Sequence, residues 1–174
     1  MKNLAFVFAV VSGFFALSCA TKPYVDKETF ASLTTDDEFT FLAKRANPMD
    51  YTAIQNVASS LPGAIPTRIL ELDYGYTLTL KKDSIKVNLP YFGRAYNASY
   101  GATNVGFSLE TTSFTKTKKA GKKGEVLYQF HIHDKTNIQQ MVLEISPSGK
   151  AYLSIQANDR QPISYDGYIM KNEK

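Results

Sequence analysis

The sequence predicts an all-β domain with one short helix, an antiparallel meander that forms a sandwich or a partly closed barrel. Two observations favour this class. Apolar and polar residues alternate with a period of two in a series of short segments, as expected for strands with one packed face and one wet face. The links between the segments are too short for the crossovers that parallel strands need, so we expect neighbouring strands to pair antiparallel.

The first 18 residues have the organisation of a signal peptide. Lys2 supplies a positive charge, and residues 4–17 are apolar except for Ser12 and Gly13. That length fits the apolar region of a signal peptide and falls short of the roughly 20 residues that a membrane-spanning helix needs. We therefore expect export and removal of residues 1–18, with an uncleaved helical anchor as the lesser alternative.

Cys19 is the only cysteine, and the preceding Ala16-Leu17-Ser18 resembles a lipoprotein signal-peptidase box. In such a box, small residues precede a cysteine that is acylated and becomes the new N-terminus. We expect Cys19 to carry lipid and to anchor the protein in a bacterial membrane, facing the periplasm. The alternatives are a secreted protein cut near Ala20 or a surface-exposed one. In none of these cases can the fold contain a disulfide.

The predicted elements begin after a polar stretch. Residues 19–36 predict a lipidated N-terminus and tether with about one helical turn, and residues 37–174 a single β-domain. Alternation over residues 39–44 predicts the first strand, which ends at Asn47-Pro48. The one predicted helix is capped by Asp50 and stops at Pro62-Gly63. Its apolar residues share one face: Ile54, Val57, Ala58 and Leu61.

Seven further strands follow from the same alternation. The first two form a hairpin around Lys82-Asp83-Ser84, and Ser146-Pro147-Ser148-Gly149 turns the chain between two later ones. The lysine-rich residues 116–124 predict a link that ends in a basic hairpin tip. The predicted strands cover residues 76–81, 85–89, 105–109, 126–132, 141–145, 151–157 and 163–169.

Composition and charge exclude several classes of function. Hydrophobic residues make up 44% and charged residues 21% of the 174 residues, which is ordinary for one globular domain. A formal charge of +4 is too small to indicate a nucleic-acid partner. The sequence has no GxSxG, HExxH or phosphate-binding glycine loop. We therefore expect a non-enzymatic protein without a cofactor.

Two groups of residues are candidate sites. The loop that holds Tyr91, Phe92, Arg94 and Tyr96 concentrates aromatic side chains and an arginine, a good contact surface for a protein or small-molecule ligand. In the structural alternative, the rings cover one end of the sheet and Arg94 bridges carbonyls or a carboxylate.

The second group is His131 and His133, whose spacing places both on one strand face. They are candidate metal ligands, with Asp134 and Glu144 as the nearest acidic partners, for a metal-dependent or hydrolytic protein. The simpler alternative is two histidines on a polar strand face. Lys116, Lys118, Lys119, Lys122 and Lys123 would contact anionic lipid or remain solvated.

Four sequence features together carry a family resemblance. They are the run LPYFGRAY at residues 89–96, Phe39-Thr40-Phe41, the turn Lys82-Asp83-Ser84, and the ending from Asn158-Asp159-Arg160 to Ser164-Tyr165-Asp166-Gly167. Over roughly residues 36 to 170, the chain resembles the Bacteroidota family of exported domains called domain of unknown function 4251. The resemblance implies an envelope protein without a known activity and supplies no site residues. The hypotheses that remain are a non-catalytic binding module, a metal-dependent or hydrolytic protein, and a structural spacer.

Overall fold

The computed structural model describes residues 22–63, 65–96 and 106–173. The signal segment, Cys19 and Val105 lie outside the described residues. The described chain contains three α-helices: α1 (Lys27–Asp36), α2 (Thr52–Ser60) and α3 (Pro66–Ile69). The strands are β1 (Phe39–Pro48), β2 (Thr77–Leu80), β3 (Ile85–Leu89), β4 (Phe107–Thr111), β5 (Phe114–Ala120), β6 (Val126–Ile132), β7 (Ile138–Ile145), β8 (Lys150–Ala157) and β9 (Ile163–Met170).

The strands form a meander that closes into a nearly complete barrel. Their order is β4-β3-β2-β1-β9-β8-β7-β6-β5, and all neighbouring strands in this order pair antiparallel. The first and last strands pair with each other, and the two edge strands, β4 and β5, are consecutive in the chain. Since only Thr112 and Ser113 separate them, the chain passes directly from one edge of the sheet to the other. This confirms the predicted antiparallel meander and partly closed barrel.

Hydrogen bonds hold the corner between β4 and β5. The hydroxyl of Thr111 accepts a bond from the backbone N–H of Ser113 at 2.8 Å and donates to the carboxylate of Asp134. The carbonyl of Ser113 accepts from the N–H of His133 at 3.0 Å. These contacts tie the corner to the end of β6, which brings the two edges of the sheet together.

The interior of the barrel is filled by the inward side chains of the strands. Tyr128, Tyr165, Phe39, Phe41 and Phe130 are its largest fully buried residues. Aliphatic side chains such as Leu78, Leu80, Ile85, Met141, Leu143 and Leu153 complete the cluster. An interior filled with side chains is typical of small β-barrels. The chain therefore presents its contact surfaces on the outside.

The lysine-rich residues 116–124 differ from the predicted link. Residues 114–120 form β5 and pair with β6 over their whole length. The apolar pattern that reveals a strand is missing because β5 is an edge strand, in which only Phe114 and Lys116 are even half-buried. Only the single 3₁₀ turn Lys122–Gly124 remains at the tip of the hairpin.

The predicted tether also contains structure. The carboxylate of Asp26 accepts a bond from the backbone N–H of Thr29 at 2.7 Å and so caps α1. Phe30 and Leu33, four and seven residues after Asp26, pack against the core cluster of the barrel. The packed structure therefore begins upstream of residue 37, and the described chain has more than the one predicted helix. In that part of the chain, no helix is long and apolar enough to cross a bilayer.

Asp37 locks α1 onto the barrel. It ends the helix in the left-handed conformation, with φ 55°. Its carboxylate accepts bonds from the ammonium groups of Lys116 at 2.7 Å and Lys118 at 3.0 Å and from the hydroxyl of buried Tyr128 at 2.7 Å. Burial raises the pKa of Asp37, but these hydrogen bonds outweigh it and hold the pKa below its ordinary value.

Replacing Asp37 by asparagine is expected to lower the free energy of unfolding by about 1–2 kcal/mol at pH 7. The amide keeps the size of the side chain but loses its charge beside two lysines. Because the folded-state pKa of Asp37 is depressed, its stabilisation is complete above the unfolded-state pKa of about 3.9 and is lost as the pH falls through the lower folded value. Urea unfolding of both proteins at pH 7 and pH 3 should show the difference shrinking. A difference that is the same at both pH values would contradict this account.

Candidate functional site

The two ends of the barrel, which we call the near end and the far end, hold different segments of the chain. At the near end, the chain enters beside the β7–β8 turn, where the backbone N–H of Tyr24 donates to the carbonyl of Ser148 at 2.8 Å. At the far end, β1 leads into α2 and α3, and β3 leads into the loop of residues 90–96. The turn between β8 and β9 lies at this end as well. The predicted aromatic loop therefore belongs to the far end.

Tyr91 anchors this loop and is buried, with 8% of its surface exposed. Its hydroxyl lies 2.9 Å from the carbonyl oxygen of Arg94 and 3.1 Å from that of Gln161, and donates to this pair. Its ring packs edge-to-face on Phe107, with 5.6 Å between centroids. Burial raises the pKa of Tyr91, so the hydroxyl stays a protonated donor. Tyr91 therefore attaches the loop to the barrel and leaves little surface exposed to a partner.

Arg160 covers the ring of Tyr91 from the β8–β9 turn. Its guanidinium carbon lies 4.9 Å from the ring centroid of Tyr91 and 5.2 Å from that of Phe107. Two nitrogens of the guanidinium bind the carboxylate of Asp159 at 3.0 and 2.7 Å, and that carboxylate accepts a third bond from Asn137 at 2.9 Å. The hydrogen bonds from Arg160 lower the pKa of Asp159. The guanidinium of Arg160 thus contacts the ring of Tyr91 and the carboxylate of Asp159, and both contacts hold the loop against the β8–β9 turn.

Backbone contacts complete this attachment. The backbone N–H of Tyr96 donates to the carbonyl of Asp159 at 2.7 Å, and the N–H of Gln161 donates to the carbonyl of Arg94 at 3.1 Å. Gly93 passes so close to Tyr91 that an added Cβ would lie 2.7 Å from the tyrosine oxygen. The loop is therefore attached to the β8–β9 turn by backbone as well as side-chain hydrogen bonds.

The other three loop residues divide between core and surface. Phe92 is half-buried and packs against the core cluster. Arg94 and Tyr96 point outward, and Tyr96 is 64% exposed. The Nε of Arg94 lies 3.4 Å from a carboxylate oxygen of Asp50, whose other oxygen accepts from the backbone N–H of Thr52 at 2.9 Å. This pair connects the loop to the start of α2.

Exposed apolar side chains occur on the segments that follow β1 and in the aromatic loop. They belong to Met49, Val57, Leu61, Ile65 and Tyr96, each at least half exposed, and together with Arg94 we call them the far-end surface. Val57 and Leu61 were predicted to share a helical face with Ile54 and Ala58. In the structure only Ile54 and Ala58 are buried, and of these only Ile54 belongs to the core cluster.

The two histidines make short contacts of their own. The Nε2 of His131 lies 3.1 Å from the side-chain nitrogen of Gln129, and the Nε2 of His133 lies 2.6 Å from the hydroxyl of Thr115. Asp134 bonds to Thr111, as described above. Within residues 22–63, 65–96 and 106–173, no group of three or more histidine, cysteine, aspartate or glutamate side chains is placed to hold a metal ion.

A groove of about 330 Å³ lies on the outer wall of β1, β2 and β3. Its polar groups largely satisfy one another. The hydroxyls of Thr40 and Thr79 lie 3.3 Å apart, Lys86 pairs with Glu110 at 2.8 Å, and Tyr74 donates to Glu173 at 2.5 Å. The groove therefore offers a ligand few polar groups that lack a partner, and the far-end surface is the stronger candidate.

Comparisons with known proteins agree with this fold. A sequence model described as "Domain of unknown function (DUF4251)" matches residues 25–169. The chain is similar to the crystal structure of a DUF4251 family protein from Bacteroides eggerthii DSM 20697, with 13% identity and a TM-score of 0.51, over 86% of this chain and 89% of that one. No curated protein matches. With a barrel of this kind and a match over most of its length, the chain belongs to the DUF4251 family.

Proposed function

We propose that this chain is an exported lipoprotein, anchored through Cys19, whose barrel is a non-catalytic binding module. The far-end surface is its contact site for another protein. One observation carries the proposal. The barrel interior is filled with buried side chains, whereas Met49, Val57, Leu61 and Ile65, on the segments that follow β1 at the far end, are each at least half exposed. The filled interior leaves no room for a ligand inside the barrel. A partner protein bound at the far end would instead bury these exposed apolar side chains.

The chemistry of the far-end surface suits a protein partner. Methionine, tyrosine and arginine are enriched in protein interfaces, and the surface contains Met49, Tyr96 and Arg94. The attachment of the loop through Tyr91 holds Arg94 and Tyr96 in place before a partner arrives. Such preorganisation reduces the entropy that binding costs. The contacts of buried Tyr91 thus also fix the position of exposed Tyr96.

Site-specific cross-linking in the native envelope tests this proposal. A photoreactive amino acid at Leu61 or at Tyr96 should give an adduct with one partner protein. The same amino acid at Tyr152, an exposed aromatic on the barrel wall, is the matched control and should give none. Mass spectrometry of the purified full chain should show a diacyl or triacyl increment on Cys19 in the wild type and no increment in Cys19→Ala.

The two readouts are independent. Absence of adducts at both far-end positions, or equal adducts at Tyr152, would refute the contact surface. A bare mass that starts after Cys19 would refute the anchor. Substitution of Leu61 or Tyr96 by serine should change the free energy of unfolding by less than about 0.5 kcal/mol, so loss of the adduct in these variants would report contact rather than unfolding.

A further inference from the structure

We infer that the near end of the barrel docks on the headgroups of an anionic phospholipid bilayer, through the basic tip at Lys122 and Lys123. This inference rests on the proposed lipid anchor at Cys19 and adds the orientation of the domain and its second contact surface. The far-end surface would then point away from the membrane, toward a protein partner.

The first step is the short distance between the anchor and the folded domain. The ring of Tyr24 stacks on Tyr168, with 4.4 Å between centroids and 6° between planes. Its backbone N–H bonds to Ser148, so the chain is fixed from Tyr24 onward. Five residues from Cys19 to Tyr24 span at most about 17 Å. A domain of this size is roughly 35–40 Å wide, so this linker is too short for the far end to reach the bilayer.

The second step is the position of the basic tip beside the point of entry. The side chain of Val25 lies against Gly149 in the β7–β8 turn, where an added Cβ would be 2.6 Å from Val25 Cγ2. In the same turn, Pro147 lies against Gly124, where an added Cβ would be 3.4 Å from the proline ring. The 3₁₀ turn Lys122–Gly124 and the start of the packed chain are therefore neighbours at the near end.

The third step is charge. Residues 119–125 contain three lysines and one carboxylate, Glu125, and every one of residues 119–125 is exposed. Two carboxylates upstream of β1 have partners of their own: exposed Asp26 caps α1, and Asp37 pairs with Lys116 and Lys118. The tip thus projects positive charge where a short linker would bring it to a membrane, and anionic bilayers attract lysines that lie near the surface.

Depth-dependent quenching of lipidated protein in vesicles tests the orientation. The full chain, with its lipid confirmed by mass, is reconstituted in vesicles of phosphatidylglycerol and phosphatidylethanolamine that contain a headgroup-attached quencher. Fluorophores are attached to Ser148→Cys, in the turn beside the tip, or to Lys135→Cys, an exposed lysine at the far end. Because acylation consumes Cys19, each variant has one free thiol. We expect quenching at position 148 to be at least threefold stronger than at position 135.

A second variant pair tests the role of charge. A fluorophore on Ser148→Cys, in the turn beside the tip, should lose at least half of its quenching when Lys122 and Lys123 are both replaced by glutamine. The same label should keep its quenching with Lys135→Gln. Equal quenching at positions 148 and 135 would overturn the orientation, and unchanged quenching in the double glutamine variant would overturn the tip as the contact. A missing lipid increment would instead overturn the proposed anchor and this orientation with it.

Discussion

Tyr91→Ala is expected to lower the free energy of unfolding by about 3–5 kcal/mol, as removal of a buried aromatic ring does elsewhere. The substitution deletes a ring that packs on Phe107 and under Arg160. It also removes the hydroxyl that joins the loop of residues 90–96 to Gln161. We expect a correspondingly lower midpoint in urea unfolding of the mature chain, followed by circular dichroism.

Two matched variants separate the ring of Tyr91 from its hydroxyl and from loop exposure. Tyr91→Phe keeps the ring and should cost only about 0.5–1.5 kcal/mol, the usual value of one hydrogen bond. Tyr96→Ala changes the exposed tyrosine of the same loop and should stay within about 0.5 kcal/mol of the wild type. If Tyr91→Ala were as stable as Tyr96→Ala, the account in which the ring of Tyr91 anchors the loop would be wrong.

The strands could be predicted from sequence because their signal is local. Alternation of apolar and polar residues over four or more positions identifies a strand wherever one face is buried, and residues 85–89 and 151–157 show it clearly. Such local patterns do not predict that the barrel closes. Closure depends on pairing between β1 and β9, whose partners are 115 to 130 residues apart in the chain, and on a two-residue corner whose hydrogen bonds involve Asp134.

The division of the aromatic loop could not be predicted for a related reason. Tyr91 and Tyr96 stand in the same short run, and no property of that run separates a buried tyrosine from an exposed one. The difference lies in Phe107 and Gln161, which reach Tyr91 only in the folded barrel. Likewise, Lys116 and Lys118 read as solvated lysines in the sequence, because their partner Asp37 is about 80 residues upstream.

Gly167 occupies a point where β9 approaches the backbone of β1 closely, and its replacement by alanine is expected to have the second large effect. The register between the two strands shifts between Ala43 and Arg45, opposite Gly167. An added Cβ would overlap the carbonyl oxygen of Leu42 and lie 2.9 Å from Cε2 of Phe41. The first obstacle is backbone inside a paired strand, so relief requires the strands to separate. We expect a loss of about 3 kcal/mol or more, at the upper end of overpacking effects.

A double variant identifies which contact makes Gly167 necessary. Phe41→Leu removes the aromatic edge but leaves the carbonyl of Leu42, so Gly167→Ala should cost nearly as much in the Phe41→Leu background as in the wild type. Recovery of most of the stability in the double variant would show that the ring, and not the backbone, excludes a side chain.

Ser164→Ala, a half-buried position on the same strand, controls for general effects of alanine in β9 and should cost less than about 1 kcal/mol. Thermal unfolding of the four variants gives the comparison, and a wild-type melting temperature for Gly167→Ala would contradict the close approach of the two strands. Because the pairing of β1 with β9 holds the first and last strands together, we expect Gly167→Ala to lower the stability of the whole barrel. Tyr91→Ala, in contrast, is expected to loosen the far end before the rest of the barrel.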